Sequence, residues 1–348
     1  MNCFPVRNLP DIPLTLVFEN FELDELFNIS LCSKKLRSIV KEFTSLQKTR
    51  IPLYIQFGSH SHLVSFDHYW YYREPGFPPL FKFYNRRQKD SPDVNFDDPR
   101  VFRIDNTTFK FGKSQYDNVV CVCEHPEVEA LVLAEYLFDT FSAELIRLEI
   151  DKNSIGNSDA IMESPFLRES KYLRISNNFV VGKELRMFLG DFETEVLDLW
   201  CDSTEGFVYE KPISFPELHI VNATFFSRQN LLELDCFRAT IKSRLLVSTD
   251  INDFLHQWLR KEDDKLEYLL ISKWKSWEMD VILEGIVTIP GSRKKKEATS
   301  VSRRYDRSFP FENGVDIRRQ SDGKLMTVLI QNDSWLNIVV WLDPNPFL

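Results

Sequence analysis

Residues 4–43 contain three short helical patterns in close succession. Apolar residues recur at spacings of three and four across residues 9–18, 22–29 and 33–43. Ser33 is predicted to cap the third helix, because its hydroxyl can accept a hydrogen bond from a backbone N–H in the first turn. Three helices of this length cannot bury so many apolar side chains among themselves. The segment must therefore pack against a following domain or against another protein.

The residue types in this segment favour one interpretation over an ordinary N-terminal helical subdomain. Leu9 and Pro10, the apolar residues at helical spacing after them, and the run from Asp24 to Leu36 together resemble an F-box. The segment is particularly similar to the F-boxes of the large nematode family that carries a type 2 F-box-associated region. Ile12 stands where many F-boxes have Glu, which we interpret as a mark of the nematode subfamily.

The resemblance implies a function. The chain would be a substrate-recognition subunit of a cullin-RING (SCF-type) E3 ubiquitin ligase, with a Skp-family adaptor and a cullin as partners and an unknown protein as substrate. Such a subunit performs no chemistry, because it acts by raising the effective concentration of a target lysine near a ubiquitin-loaded enzyme. The adaptor-binding residues that the resemblance implies are Leu9, Pro10, Ile12, Leu14, Val17, Phe18, Leu26, Ile29, Leu31 and Cys32.

Two other classes of protein remain open. An adaptor-bound scaffold without a role in ubiquitination would use the same helices. An enzyme is not expected, because the sequence contains no Gly-x-Ser-x-Gly elbow and no Gly-rich phosphate loop, and has only 11 Gly. We therefore predict a non-catalytic protein that needs no cofactor.

Charge and hydropathy limit the partners and the compartment. A net charge of −9 at pH 7 argues against general affinity for nucleic acid, whose binding depends on phosphate neutralisation. The sequence has no apolar run of the roughly 18 residues that a membrane helix needs, and its N-terminus lacks the pattern of a signal peptide. We expect a cytoplasmic or nuclear protein without membrane contact. The basic residues within 293–307 form either a solvated loop or a nuclear-import signal.

The six cysteines are scattered along the chain without a disulfide framework. Cys121, Cys123 and His125 fall on one face of a predicted strand and could begin a zinc site. The sequence shows no evident fourth ligand, and two cysteines at this spacing in a strand are more often core residues. We therefore predict no metal.

The rest of the chain indicates an α+β fold with two further regions after the F-box at residues 4–45. Residues 46–142 form a β-rich connecting segment that ends in a helix over 126–142. Residues 143–348 form an F-box-associated, leucine-rich-repeat-like α/β region that closes with a β-hairpin. Strands outside the repeats are predicted at 53–57, 63–66, 81–84, 101–104 and, on either side of a turn at Gly323, within 315–330, with a closing strand at 335–341.

Leucines in the third region repeat at a spacing typical of leucine-rich repeats. Leu148, Leu173, Leu197 and Leu218 are separated by 25, 24 and 21 residues, and each lies in a strand-like segment. We predict stacked strand-and-return units, although an ordinary mixed sheet flanked by helices would use the same alternation. The repeat strands are predicted at 145–150, 172–175, 196–199, 217–220, 231–236 and 266–271.

Residues that alternate with the buried leucines lie on the opposite, open face of the sheet. Exposed Trp and Tyr beside Arg are typical of protein-binding surfaces. We predict that the target binds at Tyr172, Arg174, Trp200 and His219, with Trp200 as the anchor. The same composition occurs where a neighbouring domain covers a strand, and in that case Trp200 would be buried.

Overall fold

The computed structural model divides the chain into two compact units, residues 1–171 and 172–348. The fold class is α+β, as predicted, with helices at the N-terminus followed by a large set of strands. None of the described helices is long and apolar enough to cross a membrane. The residues that the structure describes are 16–47, 49–66, 81–86, 94–114, 119–151, 158–203, 206–222, 224–261, 265–289 and 313–341. The predicted residues that lie outside these ranges are Leu9, Pro10, Ile12, Leu14 and the basic residues of 293–307.

Two α-helices follow a short helical segment at residues 16–18. They are α1 (Leu23–Cys32) and α2 (Lys34–Ser45). Ser33 caps α2, because its hydroxyl accepts a hydrogen bond from the backbone N–H of Leu36 at 3.2 Å. The cap predicted from the sequence is therefore confirmed.

The described residues of the first unit form seven strands with one long helix against them. The strands are β1 (Pro52–Phe57), β2 (His62–Ser65), β3 (Phe81–Asn85), β4 (Val94–Ile104), β5 (Thr107–Ser114), β6 (Val119–Cys123) and β7 (Glu144–Asp151). The helices are α3 (Pro126–Thr140), α4 (Ser158–Glu163) and a 3-10 helix (Pro165–Glu169). The sheet order is β7-β1-β2-β3-β6-β5-β4, in which β7–β1 and β3–β6 are parallel pairs. All four strands predicted between residues 53 and 104 are present.

The first unit extends past the predicted region boundary at residue 142. β7, which begins the predicted third region, pairs with β1 of the predicted connecting segment. The boundaries assigned at residues 45 and 142 stay predictions.

Aromatic rings fill the space between α1 and this sheet. The ring centroid of Phe27 in α1 lies 5.4 Å from that of Phe81 and 5.3 Å from that of Phe102. Phe102 in turn stacks on the buried rings of Phe109 and Phe111. The apolar side chains that the N-terminal helices cannot bury among themselves are thus covered in part by the rest of the first unit. This is one of the two arrangements expected from the sequence, the other being contact with another protein.

A buried histidine should make the first unit sensitive to acid. His62 of β2 is buried, and its Nδ1 atom has no hydrogen-bond partner in the described part of the chain. Burial lowers the pKa of His62 from 6.5 to about 4. The unfolded chain binds a proton below about pH 6.5, whereas the folded chain binds it only near pH 4. Stability should therefore fall by up to about 3 kcal/mol as the pH drops across that window.

Urea unfolding at pH 7 and near pH 4.5 measures this loss. His62→Leu is the control, because its side chain does not titrate, and its stability should depend less steeply on pH. Equal losses in both proteins would mean that other groups set the acid sensitivity.

The second unit begins with five parallel strands that follow one another in chain order. The strands are β8 (Tyr172–Val180), β9 (Val196–Ser203), β10 (Glu217–Val221), β11 (Arg238–Lys242) and β12 (Tyr268–Ser272). The helices are α5 (Gly182–Gly190), α6 (Arg228–Leu232), α7 (Ser248–Arg260) and α8 (Met279–Ile282). Leu173, Leu197 and Leu218 lie side by side in β8, β9 and β10 and are fully buried. Their predicted burial in successive strands is confirmed.

The strand predicted at residues 231–236 is wrong, because its first residues belong to α6. Ser227 caps this helix: its hydroxyl accepts from the backbone N–H of Asn230 at 3.3 Å, and Asn230 Oδ1 accepts from the N–H of Ser227 at 2.9 Å. Asn230 Nδ2 also donates to the carbonyl oxygen of Tyr209 at 2.7 Å. This capping overrides the leucine pattern, and the strand β11 forms at Arg238–Lys242 instead.

An antiparallel section completes the second unit. Its strands are β13 (Thr288–Ile289), β14 (Val315–Arg318), β15 (Leu325–Gln331) and β16 (Trp335–Trp341), in the order β13-β14-β15-β16-β12. Gly323 has a φ of +75°, and its N–H donates to the carbonyl oxygen of Arg319 at 3.0 Å. The predicted turn, hairpin and closing strand are therefore confirmed.

A buried arginine ties this turn to α7. Arg319 donates from Nη1 to the carbonyl oxygens of Trp258 and Lys261, at 3.3 and 2.6 Å. Because the last carbonyl groups of a helix lack partners inside the helix, Arg319 caps α7. Its guanidinium also pairs with Asp322 at 2.6 Å and lowers the pKa of that carboxyl to about 2.

Candidate functional site

The N-terminal helices are held on α3 by polar contacts. The hydroxyl of Tyr136 in α3 donates to Ser30 Oγ at 2.8 Å. The guanidinium of Arg37 lies over the ring of Tyr136, with Cζ 4.3 Å from the centroid, and pairs with Asp139 at 3.2 Å. Lys41 pairs with the same carboxylate. α3 is therefore the helix that fixes the position of α1 and α2.

The predicted adaptor-binding residues that the structure describes differ in exposure. Phe18 and Leu26 are buried, so they support the helices from inside rather than offer a contact surface. The partly or fully exposed members are Val17, Ile29, Leu31 and Cys32. Their role in binding an adaptor stays a prediction.

A shallow groove lies beside the end of α1. Leu31 and Cys32 line it together with Arg100 and Val101 of β4, and its volume is about 520 Å³. A partner that covers Leu31 and Cys32 would therefore also contact β4. The sequence did not suggest this contribution, because β4 lies far from the helices along the chain.

A buried carboxylate organises the predicted target face of the second unit. Asp198 of β9 is 1% exposed. Tyr172 donates from its hydroxyl to Oδ2, and Trp200 donates from Nε1 to Oδ1, both at 2.5 Å. Arg174 Nε lies 3.9 Å from Oδ2. Because Arg174 stands opposite Asp198 in the parallel pair β8–β9, the four side chains share one face of the sheet.

Trp200 is the exposed member of this cluster, and the partly exposed Arg174 lies over it. Arg174 Cζ lies 4.8 Å from the centroid of the indole ring, and Trp200 is 39% exposed. The hydrogen bond to Asp198 orients the indole, so that a partner need not immobilise it on binding. The guanidinium can donate to a carboxylate or a phosphate. The pair can therefore bind a peptide through apolar contact and through charged hydrogen bonds.

His219 is the predicted target residue that does not join this surface. It stands beside Asp198 in the sheet but is buried, and its Nε2 lies 2.8 Å from Oε1 of Glu217. Its imidazole is therefore satisfied within the sheet. Asp198 was not among the predicted site residues, although its place between Leu197 and Leu199 assigns it to the same face as Trp200.

Two thiols and a carboxylate meet in the first unit, where β6 approaches the start of α3. The Sγ atoms of Cys121 and Cys123 and a carboxylate oxygen of Glu129 all lie within 4.8 Å of one another. Burial raises the pKa of Glu129, and the neighbouring Cys121 thiol together with burial raises the pKa of Cys123. Thiolates and carboxylates are both zinc ligands. These residues can therefore hold a metal ion, and the carboxylate comes from a helix that the cysteine spacing alone could not reveal.

Family models match two parts of the chain. The F-box domain model matches residues 7–48, and the F-box associated model matches residues 212–271. The first match contains α1 and α2, and the second extends from β10 nearly to the end of β12. The chain thus contains an F-box domain followed by an F-box associated region, and the resemblance to nematode F-box proteins of this kind is confirmed.

Curated relatives come from Caenorhabditis elegans. The chain is 20% identical to uncharacterized protein F59B2.9, over 99% of this chain and 80% of that protein. It is 23% identical to uncharacterized protein F59B2.8, over 99% of this chain and 79% of that protein. It is also 22% identical to E3 ubiquitin-protein ligase hecw-1, over 89% of this chain but 26% of that protein. No solved structure matches the chain.

The two matched regions support, in general terms, the role of a substrate-recognition adaptor in an SCF-type ubiquitin ligase. F-box and F-box associated regions are typically non-catalytic. The cluster around Asp198 lies outside the F-box associated match, whereas His219 lies inside it. The F-box associated match therefore does not include Tyr172, Arg174 or Trp200 of the predicted target surface.

Proposed function

We propose that the chain is the substrate-recognition subunit of an SCF-type E3 ubiquitin ligase in the cytoplasm or the nucleus. The F-box helices bind a Skp-family adaptor, which links them to a cullin, and the second unit holds a protein target around Trp200. The chain itself makes and breaks no bonds, because its role is to position the target near a ubiquitin-loaded enzyme.

The observation that carries this proposal is the F-box match at residues 7–48. Partly exposed apolar side chains on α1, such as Ile29 and Leu31, support it, since apolar surface on a small helical unit is typical of a binding site. The pair of the partly exposed Arg174 and the exposed Trp200 supports target binding by the second unit, because Arg and Trp are enriched among the residues that dominate interfaces. One relative is named an E3 ubiquitin-protein ligase, which agrees with a role in ubiquitination.

Replacing both Leu9 and Pro10 with Ala should abolish co-purification of the Skp-family adaptor. These residues begin the F-box, and a few apolar anchors carry most of the energy of a typical interface. The full chain is co-expressed with the adaptor, and the adaptor recovered per chain is measured. Leu245→Ala is the matched control, since it removes an exposed leucine from the second unit and should leave adaptor binding unchanged. An unchanged melting temperature verifies that the double variant is folded.

The same preparation distinguishes the scaffold alternative. Recovery of a cullin together with the adaptor supports the ligase subunit, whereas recovery of the adaptor without a cullin identifies an adaptor-bound scaffold. If the adaptor still binds after the double substitution and after removal of residues 1–45, the proposed docking site is wrong.

A further inference from the structure

The cysteines of β6 and the glutamate of α3 are brought together by well-fixed parts of the first unit. Cys121 and Cys123 are two residues apart in a strand, so their side chains point to the same face. β6 is paired on both sides, with β3 and with β5, which fixes the backbone that carries both thiols. Glu129 lies in the first turns of α3, whose start follows β6 after two residues. The short connection between β6 and α3, and the pairing of β6 with two strands, therefore hold the two thiols and the carboxylate close together.

We propose that Cys121, Cys123 and Glu129 bind a single Zn²⁺ ion as its three protein ligands, with the fourth tetrahedral position left to a water molecule. His125, the imidazole that the sequence spacing suggested, is exposed and does not join the three ligand atoms that lie within 4.8 Å of one another. This site lies in the first unit and goes beyond the proposed ligase function. The sequence alone led to the prediction of no metal, because it showed two thiols and one imidazole but not the carboxylate.

The geometry fits a tetrahedral zinc site. Zinc binds thiolate sulfur at about 2.3 Å and carboxylate oxygen at about 2.0–2.2 Å, so ligand atoms around one ion lie roughly 3.5–3.8 Å apart. Cys121 Sγ lies 3.7 Å from Glu129 Oε2, and all three ligand atoms fall within 4.8 Å. An ion would therefore bind with small side-chain movements. Two sulfur ligands exclude Mg²⁺ and Ca²⁺ as the preferred ions, because both take oxygen ligands.

Metal binding requires deprotonated thiols, so a bound divalent ion would replace their protons and compensate the charge of the thiolates and the carboxylate.

Zinc binding at this site would stabilise α3, the helix that contacts both described helices of the F-box. Glu129 lies on α3, and the same helix holds α1 and α2 through Tyr136 and Asp139. A zinc ion would join the beginning of α3 to β6. We therefore expect a higher melting temperature of the full chain with Zn²⁺ than with a chelator, since an ion that binds only the folded state stabilises it.

Titration of the reduced, metal-free full chain with Co²⁺ tests the site directly. Wild type should bind one Co²⁺ per chain, with thiolate-to-cobalt charge-transfer absorption that disappears when Zn²⁺ displaces the cobalt. Cys123→Ser should lose this absorption. Glu129→Gln keeps the shape of the side chain and should weaken binding by about tenfold or more, because even groups that only orient a ligand are worth about 10–100-fold.

Cys236→Ser is the matched control. Cys236 is a buried cysteine of the second unit, and its loss should leave the stoichiometry and the absorption unchanged. If Cys123→Ser does not fold, Glu129→Gln still decides the question, since it removes a ligand but no thiol. Absence of stoichiometric Co²⁺ binding by wild type, wild-type affinity in Glu129→Gln, or a Cys121–Cys123 disulfide under the same reducing conditions would each overturn the proposal.

Discussion

Leu197→Ala should lower the free energy of unfolding by roughly 2–5 kcal/mol, the range found when a buried leucine is truncated. Leu197 is 0% exposed in β9, and its register neighbours are Leu173 in β8 and Leu218 in β10. Removing its side chain therefore leaves a cavity beside Leu173 and Leu218. This cavity cannot easily close, because β8 and β10 are held in place by backbone pairing with β9. Urea unfolding of the full chain measures the effect.

Leu245→Ala provides the comparison for this experiment. Leu245 is 54% exposed, and its truncation should change stability by no more than about 0.5 kcal/mol. Leu173→Ala and Leu218→Ala should each fall in the same range as Leu197→Ala. Small losses at all three buried positions would show that the parallel strands do not share one core.

Four of the five parallel strands of the second unit, all except β11, could be predicted because their signal is local and repeated. Each of the four carries leucine or isoleucine at alternate positions, and such a pattern indicates one buried face. Leu173, Leu197 and Leu218 obey it, and all three are buried. The Ser33 cap and the turn at Gly323 were predictable for the same reason, since both depend on residues within a few positions of each other.

The strand predicted at residues 231–236 failed where two local signals competed. Leu231 and Leu234 continue the leucine pattern less regularly, but Ser227 and Asn230 form a reciprocal cap that starts a helix containing Leu231. The side chain of Asn230 is buried and bonded to the backbone of Tyr209, which is distant in sequence. This tertiary contact holds the capping residue in place and adds to the local cap.

The candidate sites depend on contacts that no spacing encodes. The sequence placed Tyr172, Arg174, Asp198 and Trp200 on one face, but the burial of Asp198 and its hydrogen bonds to Tyr172 and Trp200 could not be read from the alternation. His219 satisfies the same alternation, yet its pairing with Glu217 and its burial remove it from the surface. Alternation assigns a side chain to a face, whereas its exposure depends on the neighbours that surround it.

Replacing both Arg174 and Trp200 with Ala should eliminate binding of the target and preserve binding of the adaptor. The two residues contact each other beside Asp198 and are accessible at least in part, whereas the proposed adaptor site lies in the first unit. Loss of a central aromatic anchor and its charged partner typically removes several kcal/mol of binding energy, roughly 2 or more for each such residue. At 1.4 kcal/mol for each tenfold change, that corresponds to a loss of about a hundredfold or more.

The tagged full chain is recovered from nematode cells in which the proteasome is inhibited, and its partners are quantified relative to the adaptor. Proteins that depend on Arg174 and Trp200 are the candidate targets. Trp274→Ala is the matched control, because Trp274 is 72% exposed and also lies beside cationic side chains, those of Lys242 and Arg244. The control should retain the same partners as wild type.

The substitution Asp198→Asn tests whether target binding depends on the orientation of Trp200 as well as on its presence. Asn keeps the size of the side chain and one acceptor oxygen, but it cannot accept from both Tyr172 and Trp200 as the carboxylate does. Trp200 should then be less well oriented, so target binding should weaken although Arg174 and Trp200 are both present. An adaptor signal that falls with the target signal would show that the substitutions disturb the fold. Full retention of the target by the Arg174 and Trp200 double variant would exclude this face as the binding surface and place the target site on the loops instead.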